Sequence, residues 1–182
     1  MRSQWALLGF FGAVLLAIYG LVYFTAYALP ESLFGVQGAS TLTLFLGLLA
    51  DAGGVLSAFG FVAFYSESST RSGWRFLLVT GDVAVGLIAW SEQFMAHLLL
   101  SLGSGVALPS YRWATIWIMI CFLVWGYTLY STRNELGTRR RYGTYAAVLF
   151  FINALAWIGY LGIGILVVAS LLYACVLAGP RF

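Results

Sequence analysis

Charged residues are scarce in this chain: they make up 8% of its 182 residues, against about 25% in ordinary soluble domains. A soluble fold of this size could not cover its surface with so few charges. Apolar residues make up 62% and aromatic residues 18%, which excludes disorder, because disordered chains are poor in both. Long apolar runs recur along the whole chain, so we expect residues 1–182 to form one all-α transmembrane bundle without a separate soluble domain.

Lysine is absent, and all nine basic residues are arginines, most of them in short polar segments or near the chain ends. The net charge of +3 therefore indicates a topology signal and an attraction to anionic membrane lipids, and we expect no nucleic-acid partner. The absence of lysine favours a GC-rich prokaryotic source, and with it the inner cell membrane as the location.

Histidine and cysteine are also rare. The one histidine, His97, excludes a haem held by two histidines of one chain and any metal centre that needs several histidines from one copy. Cys121 and Cys175 lie far apart in apolar runs, without a CxxC or zinc-binding spacing. They are typical of small buried hydrophobic residues, so the sequence predicts no metal and no cofactor.

Four apolar runs have the length of a membrane span. They cover Trp5–Leu29, Thr41–Tyr65, Trp74 to about Leu102, and Tyr111–Tyr130. The first run is longer than the hydrophobic region of a secretory signal, which has about 7–15 residues. We therefore expect the first run to be a retained spanning helix.

The last apolar run, Tyr142–Gly179, contains no charged residue. As one helix it would extend about 57 Å, nearly twice the roughly 30 Å hydrocarbon core of a bilayer. Two helices that turn at Gly159–Gly164 fit the core better, and they place Trp157 and Tyr160 at the interface that aromatic rings favour. The sequence thus predicts six spans, with five as the alternative.

The arginines indicate how the spans are oriented. With six spans, eight of the nine arginines lie on one side of the membrane and only Arg112 lies on the other. The positive-inside rule makes the arginine-rich side cytoplasmic and places both termini there. Arg139, Arg140 and Arg141 on that side could bind anionic lipid headgroups, or they could act only as a topology determinant.

Polar residues interrupt the second and third runs on defined helix faces. Helical spacing places several polar and small residues of the third run within about 80° of arc, with Glu92 at the edge. These residues are Asp82, Gly86, Ala89, Gln93 and His97. In the second run, Asp51 shares a face with Gly47, Gly54 and Ala58. Such faces suit a helix–helix contact or a wet cavity and do not suit lipid.

The depths of these side chains lead to a specific expectation. Asp51 and Glu92 each lie about 15 Å below the outer end of their helix. We therefore expect the Asp51 carboxyl to lie near Gln93 or Glu92. His97 is expected close to the outer surface, and Asp82 is expected nearer the cytoplasm.

The intramembrane polar residues support two interpretations. In the first, they form a route for protons or cations, with His97 at the mouth, Asp51 and Glu92 in the middle and Asp82 as the inner relay. In the second, protonated carboxyls and Gln93 only form hydrogen bonds that hold the helices together.

Three functions follow from these interpretations. The leading hypothesis is a small transporter or channel-like carrier of protons, cations or a small solute. The alternative is a non-catalytic structural subunit or assembly factor of a larger membrane complex, with homo-oligomeric or other membrane partners. A third hypothesis, an intramembrane lipid-modifying enzyme, has no nucleophile–base spacing, phosphate loop or metal motif to support it.

Overall fold

The computed structural model describes residues 3–28, 36–66, 72–102, 107–156 and 160–179, and the regular structure in these ranges is entirely helical. Its α-helices are α1 (Gln4–Ala28), α2 (Val36–Gly60), the short α3 (Val62–Ser66), α4 (Gly73–Ser101), α5 (Ala107–Thr132), α6 (Arg140–Ala156) and α7 (Tyr160–Ala178). Two single turns of 3₁₀ helix, Arg133–Glu135 and Gly137–Arg139, lead from α5 to α6. The all-α prediction is confirmed.

Four segments of the described residues are helical, long and apolar enough to cross a membrane. They are Gln4–Tyr23, Leu44–Ser66, Gly73–Leu99 and Arg112–Glu135. The remaining two long helices are shorter or less apolar: α6 has 17 residues, and the apolar part of α7 is Gly162–Ala178. A helix of 17 residues extends about 26 Å, at the lower limit for a span. The bundle is thus compatible with a membrane protein, and the count of six spans stays a prediction.

The predicted break in the last apolar run is present. Helix α6 ends at Ala156, α7 begins at Tyr160, and the two helices pack against each other. Trp157 lies outside the described residues. The predicted turn at Gly159–Gly164 is placed too late, because α7 already includes Gly162 and Gly164. Glycine is tolerated inside a helix that gains its stability from packing, so these glycines do not end it.

The six long helices form a closed ring. Each packs against the next in chain order, and α1 packs against α7. Helices α1 and α2 come especially close, because glycines line their contact. A Cβ atom added at Gly12 would overlap the backbone of α2 and would lie 2.6 Å from the Gly53 carbonyl oxygen, and one added at Gly9 would overlap Gly60. Small residues permit such close backbone packing between membrane helices.

Five aromatic side chains, from the α2–α3 junction and from α5, α6 and α7, fill the centre of the bundle. The Phe61 ring, between α2 and α3, has its centroid 5.3 Å from that of Trp125 on α5 and 5.0 Å from that of Tyr173 on α7. Phe150 on α6 lies 5.8 Å from Trp125 and 5.6 Å from Phe122. All five side chains are buried. Such contacts add about 0.5–1.5 kcal/mol per pair beyond burial, so they close the middle of the bundle by packing.

One end of the bundle collects most of the described arginines. Arg75 at the start of α4 forms an ion pair with Glu135, which follows α5. The buried Arg139 donates a hydrogen bond to the Val176 carbonyl oxygen in the last turn of α7. A cation at this position also complements the negative end of the helix dipole. These contacts place Arg75, Arg139 and their neighbours at one end of the bundle. Arg112 lies near the start of α5, at the opposite end.

Substitution of Gly12 by alanine tests the close contact between α1 and α2. The added methyl group would overlap the α2 backbone, so we expect the unfolding free energy in detergent micelles to fall by about 1–3 kcal/mol. The control is Gly81→Ala on α4, where nothing lies within 4 Å of the added carbon and the helix should gain about 0.5–1 kcal/mol. Equal stability of the two variants would contradict the close contact.

Candidate functional site

Small residues of α2 face large residues of α4 along a regular antiparallel contact. A Cβ atom added at Gly47 would lie 2.9 Å from the imidazole of His97, and one added at Gly54 would overlap the indole of Trp90. Nearer the other end, a Cβ atom added at Gly86 would lie 2.5 Å from the Cβ of Ala58. The same register places Gln93 opposite Asp51, which explains why α2 has small residues on this face.

The Asp51 carboxyl forms a hydrogen bond with His97 across this contact. Its Oδ2 lies 2.9 Å from the His97 Nδ1. The Asp51 side chain is only 4% exposed, whereas that of His97 is 17% exposed. With a proton on Nδ1 the imidazole donates to the carboxylate, and with the proton on the carboxyl the acid donates to Nδ1. The geometry therefore accommodates a proton on either partner.

The sequence predicts that the Asp51 carboxyl lies near Gln93 or Glu92. The helix register places Gln93 opposite Asp51, and Gln93 is buried on the same face. The side chain that forms a hydrogen bond with Asp51 is that of His97, which lies one turn closer to the C-terminal end of α4. Gly47 makes this possible, because the ring occupies the space that a side chain on α2 would fill. His97 is thus part of the Asp51 site and is not a separate group above it.

Glu92 lies on a different face of α4. It lines a shallow groove of about 340 Å³ together with Leu87, Ile88, Ser91 and Met95. Residues 92 and 93 are about 100° apart around a helix, so Gln93 points toward α2 while Glu92 points away from it. The structure therefore does not bring Glu92 into the site that contains Asp51.

Asp82 lies in the half of α4 nearer the arginine-rich end of the bundle and is completely buried. Its carboxyl approaches the hydroxyl of the buried Thr128 on α5, and its backbone oxygen accepts a hydrogen bond of 3.2 Å from the Trp125 indole. Elsewhere in the core, the buried phenol of Tyr173 on α7 donates a hydrogen bond of 3.2 Å to the Ser57 carbonyl oxygen on α2. Asp82 thus has polar neighbours contributed by α5.

The contact between Thr128 and Asp82 was not predicted from the sequence. Thr128 lies seven residues after Cys121 and therefore shares a face of α5 with it, which was the available signal. No comparable pattern predicts the hydrogen bond from Tyr173 to Ser57, because tyrosine is frequent in this chain and the contact depends on how α7 packs in the bundle.

Several buried polar side-chain atoms near these two acids have no hydrogen-bond partner within the described part of the chain. They belong to Asp51 (Oδ1), Ser57, Asp82 (both oxygens), Trp90, Gln93, Thr128, Asn153 and Ser170. Most buried polar atoms in proteins are hydrogen-bonded, and exceptions indicate strain, function or a partner outside the protein. Their concentration inside the bundle makes this region the candidate functional site.

Trp90 separates Asp51 from Asp82. Its indole is buried against Gly54 of α2 and lies edge-to-face with Phe122 at 6.4 Å. Along α4, His97 and Asp82 are about 22 Å apart. No continuous chain of hydrogen bonds connects the two centres within the described ranges, so they are two local sites divided by aromatic packing.

The three arginines that precede α6 have different surroundings. Arg139 is buried and binds the end of α7, whereas Arg140 and Arg141 are exposed. The lipid-headgroup hypothesis therefore applies best to Arg140 and Arg141. Among the described residues, no group of three or more His, Cys, Asp or Glu side chains could hold a metal ion.

A double-mutant cycle tests the Asp51–His97 contact. We expect Asp51→Ala and His97→Ala to show a coupling energy of about 0.6–1.7 kcal/mol in unfolding experiments, from the mean to the largest value measured for interhelical hydrogen bonds in a membrane protein. The control cycle pairs Asp51→Ala with Glu92→Ala and should give a coupling energy near zero, because Glu92 lies on another face of α4. If only the control cycle showed a coupling energy, the result would favour the contact between Asp51 and Glu92 that was expected from the sequence.

Comparison with known proteins identifies no relative, so a proposal for the function of this protein rests on the geometry of the site. No protein-family model matches the chain, and no match was found among curated proteins or solved structures.

Proposed function

We propose that this protein carries protons across a membrane, with Asp51 and His97 as the outer exchange pair and Asp82 as the inner proton-binding group. The observation that supports this proposal is the hydrogen bond of 2.9 Å between a buried carboxyl and a partly exposed imidazole. The contact joins two helices that are each long enough to span a membrane. Ionisable groups within membrane spans are costly and are usually retained for function.

The packing of the bundle favours a proton over a larger solute. Phe61, Trp125 and Phe150 fill the space between the helices, and a solute would have to displace them. A proton needs only a succession of groups that accept and donate it. Hydroxyl and amide groups of the kind found beside the two carboxyls can take part in such a succession when water joins them.

The proposed transfer has two stages. At the outer end, His97 takes a proton from the solvent and passes it across the hydrogen bond to the Asp51 carboxylate. At the inner end, the Asp82 carboxyl takes up a proton and releases it toward the arginine-rich end. The level of Asp51 is about 16 Å from Asp82 along α4, so the connecting step requires a movement of Trp90 or the entry of water beside it.

The proposal includes an orientation and a location. We propose six spans, an inner-membrane location and both termini in the cytoplasm. The arginine-rich end supports this orientation, because Arg75, Arg139 and Arg140 all lie there and basic residues are enriched on the cytoplasmic side of membrane proteins.

A second candidate is a non-catalytic subunit or assembly factor of a larger membrane complex. The aromatic packing at the centre favours this alternative, because it leaves the described bundle without an open route. In that case Asp51 and His97 hold α2 and α4 together, and Asp51→Asn should leave the function of the complex unchanged while Asp51→Leu loosens the bundle. Loss of flux in the amide variants separates the two candidates.

Flux measurements in proteoliposomes test the proton-carrier function. With a membrane potential imposed and a pH-sensitive dye inside, wild-type protein should acidify the lumen faster than empty liposomes do. Asp82→Asn and Asp51→Asn should each reduce the rate about tenfold or more, because an amide can form hydrogen bonds but cannot carry the proton. Circular dichroism and gel filtration establish that each variant is folded.

Glu92→Gln is the matched control, because it makes the same acid-to-amide change outside the Asp51 site. We expect it to keep wild-type flux. The carrier function is contradicted if wild-type protein gives no flux above empty liposomes, or if Asp82→Asn keeps the full rate.

Thiol labelling in intact cells tests the orientation. In a Cys175→Ser background, a membrane-impermeant maleimide should label Leu102→Cys from outside. It should label Thr138→Cys only after the membrane is opened. Leu102 is 72% exposed at one end of α4, and Thr138 is exposed at the arginine-rich end. Labelling of Thr138→Cys in intact cells would reverse the orientation.

A further inference from the structure

One face of α4 points away from the other helices and is apolar except for two neighbouring polar residues, Ser91 and Glu92. Leu87, Ile88, Ser91, Glu92 and Met95 line the groove there, and their spacing places them on one side of the helix. Ile88 is 42% and Met95 is 48% exposed. We call these five residues the α4 groove. The α4 groove points away from α2 and from the Asp51–His97 site.

Glu92 is an unusual residue for a surface that faces lipid. It lies five residues from Leu87, the middle residue of α4, and therefore about 8 Å from the centre of the helix. Lipid headgroups begin about 15 Å from the centre of a bilayer, so they are too far away to bind Glu92 directly. Its carboxyl forms no hydrogen bond or ion pair with another side chain in the described ranges. An ionisable group at this depth needs a polar partner.

The preceding residue supplies the chemistry of a suitable partner. The Ser91 hydroxyl is exposed beside Glu92, and a hydroxyl can donate the hydrogen bond that a carboxylate accepts. In a twofold-symmetric contact, residue i of one protomer meets residue j of the other, and j meets i. Two copies of α4 that cross at this level could therefore form two identical hydrogen bonds, each from Ser91 of one protomer to Glu92 of its partner.

The surrounding residues are compatible with such a crossing. Ser91 is small enough to let two helices approach closely, and Ile88 and Met95 lie one turn before and one turn after it. They would contact their counterparts across the twofold axis and exclude lipid from the hydrogen bonds. We propose that the α4 groove is the contact between two copies of this chain in the membrane, held by reciprocal Ser91–Glu92 hydrogen bonds. This inference does not depend on the proposed proton transport.

Cysteine crosslinking in native membranes tests the contact. In a Cys175→Ser background, Ile88→Cys and Met95→Cys should each form a disulfide-linked dimer on mild oxidation. The matched control is Val148→Cys on α6, which is similarly exposed at 43% and should stay monomeric. Equal crosslinking at Val148 would show random collision and would overturn the proposal. Crosslinking of Met95→Cys only to a different protein would overturn it as well.

Dissociation measurements test the hydrogen bonds. By energy transfer between labelled protomers in liposomes, Glu92→Leu should weaken the dimer about tenfold or more. Glu92→Gln should stay within about threefold of wild type, because its amide oxygen still accepts from Ser91. A wild-type protein that is monomeric at all lipid dilutions, or a Glu92→Leu dimer as tight as wild type, would overturn the proposal. Circular dichroism confirms that both variants are folded.

Discussion

The candidate site depends on how closely the backbones of α2 and α4 approach each other. Gly47 and Gly54 lack the carbon atoms that would collide with His97 and Trp90, so the rings of α4 lie directly on the backbone of α2. This close packing brings His97 to Asp51 and buries the Asp51 carboxyl. In lipid there is little hydrophobic force between helices, and packing and hydrogen bonds must supply the association. The glycines and the Asp51–His97 bond therefore support each other.

Aromatic packing divides the bundle into two polar regions, one around Asp51 and one around Asp82. Trp90 lies between them, and Trp125 donates to the backbone beside Asp82 while it packs against Phe61. One side chain thus takes part in both the polar shell and the apolar core. A rearrangement that connected the two regions would have to move large buried rings, and such cores change between discrete packings. For this reason we associate the proposed proton transport with a conformational change of the buried aromatic side chains and not with an open pore.

The polar residues outside the Asp51 site have local roles that follow from where they lie. Arg139 at the end of α7 neutralises carbonyl groups that a helix leaves unpaired, and it ties α6 and α7 together. Arg75 and Glu135 join α4 to the segment after α5. Among the acidic residues that the structure describes, only Glu92 faces outward from the middle of a long helix. Charged side chains in this protein therefore cap a helix, form an ion pair or face outward. Which of these they do depends on their position along the helix and on the direction in which the side chain points.

The sequence by itself determined the helical class, the position of the helices and the polar face of α4, because these depend on composition and on a periodicity of 3.6 residues. The division of the last apolar run into two helices followed from hydrophobic length, although the turn was placed too late, since Gly162 and Gly164 already belong to α7. The partner of Asp51 was decided only by the tertiary structure. Depth along a helix does not show which of Glu92, Gln93 and His97 binds Asp51, because these side chains point in different directions and have different lengths. The space beside Gly47 admits the His97 imidazole, and His97 is therefore the partner. The neighbours of Asp82 likewise depend on how the helices pack, because Trp125 and Thr128 come from α5 and reach Asp82 only when α4 packs against α5.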